Sequence, residues 1–376
     1  MLPSCANGKT DDRIAHSPKK KEAHLRTAWL VTIAAGSLVG GAALKEKAHL
    51  NPVIDLLAAR KPVFGLYAPA NPRVGGRGGR GGAAQAGAAG AAAPVTPAPA
   101  PATPPAMKTP AELAKDAVAY TGGDYIFNGD MEQPARFDTA FAIFQSFSKG
   151  MTDAGSVATG SMKRISHPLF LKTPEIAPDP KLAGERIAKQ LNAGAMGIVF
   201  VGVESADEVR QGLAAMRFKS KGGTRPDDVG DAPKLWGLSE KDYREKADVW
   251  PLNPNGELVN FTIVESKEGL AHVREIAAVK GIGVLFPGAG TLGGVFSSPD
   301  PSDSTGRRRI RDTVGWENAI QQVLAACKEF KVPCGYPAND STMMQQRMKE
   351  GFSVFVTGWG ETGFKAVEVG KKIGGR

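Results

Sequence analysis

Asn192-Ala193-Gly194-Ala195-Met196-Gly197-Ile198-Val199-Phe200-Val201 closes an amphipathic stretch, Pro180–Ala193, and opens a short uncharged apolar run. An amphipathic stretch feeding such a run reads as a helix followed by a strand. The unit recurs in both directions along the chain. N-terminal to it stand the runs Val63-Phe64-Gly65-Leu66-Tyr67, Tyr125-Ile126-Phe127 and Leu169-Phe170-Leu171. C-terminal to it stand Leu258 to Val264, Gly283-Val284-Leu285-Phe286, Cys334-Gly335-Tyr336 and Ser353-Val354-Phe355-Val356. Amphipathic stretches at Ala206–Met216, Glu268–Ala278, Trp316–Phe330 and Ser341–Glu350 separate several of them. Eight strand candidates with helices between them predict an α/β fold, a (β/α)8 TIM barrel, rather than an open sheet. No Gly-x-Gly-x-x-Gly turn links a strand to a helix, and no Walker phosphate loop is present, so the sequence carries neither nucleotide-binding signature.

The 376 residues are 42% hydrophobic and 23% charged, a globular composition with ample material for one core. Barrels of ~250 residues are single domains, and residues 50–376 are assigned to one. Val74 to Met107 is low complexity: Gly-Gly-Arg repeats, then Ala-Gly, then Ala-Pro alternation. Neither half can bury enough apolar surface to offset ordering entropy, so 74–107 is expected to be disordered. It follows the first strand and precedes a helix opening at Thr109-Pro110-Ala111-Glu112, with Thr as N-cap and Pro at N1. That position makes it an insertion within the barrel rather than a linker between domains.

Residues 1–26 form a polar, basic tail, and Thr27 to Leu44 then runs without a charge up to Lys45, Glu46 and Lys47. A basic flank, an apolar core and the small residues Gly41 and Ala43 predict a signal peptide or an uncleaved membrane anchor over 27–44. The expectation is an exported protein, periplasmic or membrane-anchored. The net charge of +9 sits in the tail (Lys19, Lys20, Lys21, Arg26), the Gly-Arg stretch (Arg73, Arg77, Arg80) and Arg307, Arg308, Arg309 and Arg311. These groups lack interleaved aromatics and read as solvated loops, so no nucleic-acid partner is expected. Of three cysteines, Cys5 precedes the apolar segment. That leaves Cys327 and Cys334, which could pair, but their spacing fits neither a zinc ribbon nor a disulfide framework, and buried thiols are the preferred reading.

Reacting groups in such a barrel lie at the C-terminal ends of strands and in the loops after them. Asn128, Gly129, Asp130, Met131 and Glu132 follow the second strand, Lys172 closes the third and Glu265 closes the fifth. Pro287-Gly288-Ala289-Gly290-Thr291-Leu292 follows the sixth, and Pro337-Ala338-Asn339-Asp340 the seventh. Carboxylates, a lysine and a Gly-rich turn at one mouth suit a hard divalent cation that polarises a carbonyl, with open backbone approaching an anionic substrate.

The order and spacing of these segments resemble the HpcH/HpaI aldolase/citrate lyase family of the phosphoenolpyruvate/pyruvate barrels. The resemblance covers about residues 51–376 apart from the insertion. Asp55-Leu56-Leu57-Ala58-Ala59-Arg60-Lys61-Pro62-Val63-Phe64-Gly65-Leu66 is similar to the family's opening helix and first strand. Gly123-Asp124-Tyr125-Ile126-Phe127-Asn128-Gly129-Asp130 resembles its second, and Asn192–Val201 with Ser205–Val209 its fourth strand and the next helix. Tyr243–Ala247, Val259–Glu268, Val332–Gly335 and Gly351–Val356 complete the match.

The resemblance implies reversible aldol cleavage yielding pyruvate or a related 2-oxo acid, by a homo-oligomer. It implies Mg or Mn held by a Glu and an Asp, with an Arg for enolate charge and a His for protons. By residue, Glu265 matches the metal Glu, but the metal Asp falls in the turn around Gly290 and is missing. The Arg falls at Lys172, and the His at Met131 between Asp130 and Glu132. The expected function is a divergent metal-assisted carbon–carbon lyase acting on a 2-oxo acid or hydroxy-oxo acid. Glu265 would be its metal ligand, Lys172 its anion stabiliser, Glu132 or Asp130 its proton carrier, and Gly288, Ala289 and Gly290 its substrate-binding turn. The second reading is a catalytically degenerate exported barrel that binds an organic acid or a partner protein. His167 and His272, away from strand C-termini, are read as structural or solvent-facing.

Overall fold

Eight parallel strands carry the architecture in the computed structural model, which describes residues 48–71, 106–158 and 163–376. They are β1 (Val63–Tyr67), β2 (Tyr125–Asn128), β3 (Leu169–Lys172), β4 (Gly197–Phe200), β5 (Leu258–Val264), β6 (Val284–Pro287), β7 (Gly335–Pro337) and β8 (Val354–Thr357). Each pairs with its successor from β1 to β6, β7 pairs with β8, and β8 returns to β1. The remaining seam, β6 to β7, is held by the Leu285 N–H donating to the Pro333 carbonyl at 3.0 Å and by a bridge from Leu285 to Cys334. The sheet therefore closes on itself, as the eight runs predict.

Successive residues on a strand face opposite ways, which sorts the chain into two cores. Val63, Tyr125, Phe127, Phe170, Val199, Phe261, Phe286 and Val356 fill the barrel interior. Phe64, Leu66, Ile126, Leu171, Ile198, Leu285 and Phe355 face the helical layer. Aromatic rings occupy the interior above glycines of neighbouring strands. A Cβ built at Gly65 would stand 2.2 Å from the Tyr125 ring, and one at Gly197 2.1 Å from that of Phe170. Helix α1 (Pro52–Ala58) buries Val53, Ile54 and Leu57 against this interior.

The outer layer includes α2 (Pro110–Ala119), α3 (Phe137–Asp153), α4 (Pro180–Asn192), α5 (Ala206–Met216), α6 (Ala289–Val295), α7 (Thr313–Phe330), α8 (Ser341–Glu350) and α9 (Glu361–Ile373). Thr109 caps α2 in a reciprocal capping box with Glu112, as its sequence signature predicts. The stretch Glu268–Ala278 is two short helices rather than one, Lys267–Ala271 and Val273–Ala277, broken at His272. There the imidazole Nδ1 lies 3.0 Å from the Glu204 carbonyl, a tertiary contact that overrides local helix continuity.

Cys327 and Cys334 are bonded to one another, with Cα atoms 5.6 Å apart, which corrects the reading of two free thiols. The reason is the turn that ends α7. Lys331 takes a left-handed φ of 58° and donates its N–H to the Cys327 carbonyl, folding the chain back into β7. A disulfide here ties α7 to the barrel seam.

The 27–44 segment and all of 74–107 except its last two residues lie outside the described residues. Among the described residues no helix is long and apolar enough to cross a membrane. The ends flanking the insertion are clasped: Asn71 donates its amide to the Lys108 carbonyl and accepts the Lys108 N–H, both at 2.8 Å. Two strand-to-helix ends already in contact need no long connection. Deleting residues 75–105 and joining the ends with a short Gly-Ser link is expected to leave stability within about 0.5 kcal/mol, measured by urea midpoint. A loss above about 2 kcal/mol would show that the segment packs on the barrel.

Candidate active site

Strand parity aims the site. Phe170 faces the barrel interior, so Lys172, two residues on, faces its mouth. Gln190 of α4 donates to the Lys172 carbonyl at 2.8 Å and pins the strand end. Lys172 Nζ donates to Glu132 Oε2 at 2.9 Å, with side chains 16% and 34% exposed.

Glu132 arrives by a 3-10 turn over Asp130–Glu132. The Asn128 side-chain oxygen accepts the Asp130 N–H at 2.9 Å, an Asx turn that starts the reversal. The turn leaves Asp130 exposed, buries Met131 completely and brings Glu132 back to Lys172. Met131 therefore packs in the helical layer, with the Gln190 amide 3.6 Å from its sulfur, rather than at the mouth.

Glu265 continues the inward set Val259, Phe261, Ile263 at the end of β5. Its Oε1 accepts the Gly202 N–H at 3.0 Å. Gly202 has φ 59°, and a Cβ there would stand 2.8 Å from Glu175 Oε1, so both conformation and space call for glycine. Gly288 passes directly against Glu265: a Cβ on it would meet the Glu265 Cβ at 2.3 Å. Ala289 is buried, and its carbonyl accepts the Trp316 indole N–H at 2.8 Å. Gly290 is exposed, and a Cβ there would meet nothing within 4 Å.

The structure thus brings Lys172, Glu132, Glu265 and Gly288 to one mouth. Asp130 stays on the rim with the Asn128 amide at 3.3 Å, and Gly290 opens outward. Asp340 is spent as the N-cap of α8, accepting the Met343 N–H at 2.9 Å. His167 is buried, with Nε2 2.8 Å from the Tyr120 carbonyl, and burial pushes its pKa down; it takes no part in the mouth.

Tyr67 is the residue that strand-end reasoning passed over. It shares the inward parity of Val63 and packs edge-on against Phe127, ring centroids 5.1 Å apart. Its aromatic character made it look like the last core residue of β1. Burial raises its pKa, the Lys172 charge opposes that rise and the Glu132 charge adds to it. Burial works against the Lys172 ammonium, but the charge and hydrogen bond of Glu132 outweigh it, and Glu265 and Tyr67 add to the rise. Lys172 is accordingly held above its ordinary value and carries a proton at neutral pH. Glu175, on the rim, is raised by burial and then by Glu265, Glu204 and Glu132. A shallow hollow of about 360 Å³ also lies on the outer side of α8, lined by Thr342, Gln345, Gln346, Lys349 and Glu350. Those groups all come from one helix, so the convergent chemistry is at the mouth.

A two-carboxylate metal site does not fit these residues. Glu265 is present, but the turn Gly288-Ala289-Gly290-Thr291-Leu292 carries no acid, and Lys172 already places a positive charge beside Glu265. Among the described residues no three His, Cys, Asp or Glu groups lie close enough to share an ion. Hard-cation affinity follows ligand charge and number, so the retained carboxylate alone is a poor holder. The point is testable. Wild type is expected to gain almost no thermal shift with millimolar Mn²⁺ and pyruvate. A shift of several degrees that Glu265→Ala abolishes would restore the metal site.

Comparison with known proteins agrees with this frame. The family model HpcH/HpaI aldolase/citrate lyase matches residues 177–367, half of the chain. A hydroxypyruvate/pyruvate aldolase of Sagittula stellata is 28% identical over 166 residues, 44% of this chain but only 58% of that relative's length. A hydroxypyruvate/pyruvate aldolase of Paraburkholderia phytofirmans is 23% identical over 244 residues, 64% of this chain and 80% of its own. An HpcH/HpaI aldolase/citrate lyase family protein from Burkholderia cenocepacia shares the fold, with TM-score 0.55 and 19% identity over 82% of this chain and 92% of that one. The matched span holds Glu265 and the Gly288–Gly290 turn, while Tyr67, Glu132 and Lys172 precede it. On the family match and the shared barrel, this chain belongs to the HpcH/HpaI aldolase/citrate lyase family.

Proposed function

We propose that the chain is an aldol-type carbon–carbon lyase acting on a 2-oxo acid or hydroxy-oxo acid, with pyruvate as the oxo-acid product. The observation that carries this is the Lys172–Glu132 pair, an ammonium and a carboxylate 2.9 Å apart inside the mouth of a barrel of this family. Aldol cleavage develops negative charge on the oxygen at C2 and must move one proton from the C4 hydroxyl. Lys172 supplies fixed positive charge for the first, in a partly desolvated site where such charge acts strongly. Glu132 accepts the proton for the second and returns it to C3. Glu265, packed directly against the Gly288 backbone, closes the opposite side of the mouth. The names of the two aldolase relatives support the same substrate class. The test is pyruvate release from a 4-hydroxy-2-oxo acid by the purified full chain. Binding of the oxo acid with no release would favour the degenerate-barrel reading instead, for which the missing acid in the Gly288–Leu292 turn speaks.

We also propose export. The Cys327–Cys334 disulfide suits an oxidising compartment, and the uncharged run from Thr27 to Leu44 suits a route to one. A reporter active only outside the cytoplasm, fused after Arg376, should be active. Activity confined to a cytoplasmic reporter would overturn this.

A further inference from the structure

The family's implied metal chemistry and this chain's residues disagree, and what stands in the gap is an amine. Lys172 is the inward residue at the end of β3, its stem alongside Gly129, where a Cβ would lie 3.7 Å from the Lys172 Cδ. Its Nζ reaches the mouth with a carboxylate in hydrogen-bond contact at 2.9 Å. Glu265 stands near enough for its charge to act on it, and the Tyr67 phenol lies within electrostatic reach. We propose that Lys172 is a covalent nucleophile that forms an imine with C2 of the 2-oxo acid, so that an iminium replaces the metal as the electron sink. The inference rests on the lyase reading for its substrate class and goes past it in mechanism.

The atoms balance without any oxidant or reductant. Glu132 takes one proton from the ammonium, and the freed amine pair forms an N–C bond to C2 as the carbonyl pair moves to oxygen. After proton transfer from nitrogen to oxygen, Glu132 gives its proton to the C2 hydroxyl, which leaves as water. Ammonium plus ketone has become iminium plus water, and Glu132 is again a carboxylate. In cleavage Glu132 removes the C4 hydroxyl proton, the C3–C4 bond pair flows into the C=N bond, and an aldehyde departs. The enamine takes the proton back at C3, and water releases the oxo acid. The ion pair places a base within bonding reach at the moment of attack, while the same contact holds the resting side chain as the ammonium that Glu132 must first deprotonate. A fixed charge lowers the enolate's energy from a distance, whereas an iminium places the positive charge on the reacting atoms themselves.

The experiment incubates the full chain with pyruvate and sodium cyanoborohydride in the presence of EDTA, then maps modified peptides by mass. One reduced pyruvyl adduct on the peptide carrying Lys172 is expected, absent without pyruvate. Lys172→Arg keeps the charge and the Glu132 contact but cannot form an imine, and should give no adduct there or at neighbouring lysines above background. Peptide mapping of the treated wild-type protein gives the answer even if the variant fails to fold. Pyruvate release with no adduct would overturn the imine and leave the lyase reading standing. An adduct with no cleavage of any 4-hydroxy-2-oxo acid would keep the imine and remove the lyase reading.

Discussion

Lys172→Met is expected to lower pyruvate release by at least about 10²–10³-fold, the usual cost of removing a preorganised charge from a developing oxyanion. Met fills the same space, so packing against Gly129 survives while both charge and amine are lost. Glu132→Gln should cost about 10²–10⁴-fold, as expected for a lost proton carrier. Because the two act as one unit, Lys172→Met with Glu132→Gln should be no slower than the slower single variant. Fully additive losses would mean the pair does not work together. The linkage has a definite sign. Lys172 has a folded pKa above its ordinary 10.5, so the pair's contribution to stability is fully present below that value. It is lost only as pH rises through the folded pKa. The unfolding midpoints of wild type and Lys172→Met should therefore converge at strongly alkaline pH. Convergence near neutrality would contradict the ion pair.

Arg347→Ala should destabilise the barrel by about 3–5 kcal/mol, measured as urea midpoint times slope. Arg347 is 3% exposed. Its guanidinium donates to Glu317 of α7 at 2.6 and 2.7 Å and to Glu350 at 2.7 Å, and lies over the Tyr336 ring of β7 at 4.5 Å. Truncation opens a void beneath the Tyr336 ring and strips their shared cation from two carboxylates that are 36% and 24% exposed, beside the β6–β7 seam with its few strand hydrogen bonds. Arg347→Lys should lose less, since it keeps the charge but gives up the fork geometry. Glu317 is held below its ordinary 4.5, first by its hydrogen bonds to Arg347, so the network's stabilisation is present above that value and lost as pH falls through the folded pKa. Acid unfolding of wild type should be steeper than that of the variant below about pH 4.5. A loss under about 1 kcal/mol for Arg347→Ala would show that the seam is held by other contacts.

The barrel was legible because its strands are buried on both faces and so read as unbroken apolar runs. Each of the eight predicted runs overlaps an observed strand, and Leu258 to Val264 coincides with β5. Lys172 and Glu265 were legible as the residues that close the third and fifth strands, and the observed parity of β3 and β5 turns both inward. Long-range partners left no local signal. Nothing in Ser341–Glu350 distinguishes the buried Arg347 from its exposed neighbours, and Cys327 and Cys334, seven positions apart, become a bond only through the left-handed turn at Lys331. Two short antiparallel pairs, Val157–Ala158 with Arg164–Ile165 and Ser297–Pro299 with Arg309–Arg311, were also invisible, since each is too short for alternation to show. Within the site, Asp130 and Glu132 looked equivalent in sequence. The Asx turn at Asn128 separates them by sending one to solvent and the other to Lys172.

The most direct test of the central claim, that the chain's own Lys172 and Glu132 run a carbon–carbon cleavage, is pyruvate release from a 4-hydroxy-2-oxo acid before and after exhaustive chelation. The account predicts release by wild type that survives EDTA and disappears in Lys172→Met. Release that chelation abolishes and added Mn²⁺ restores, or a folded wild type that releases no pyruvate at all, would contradict it.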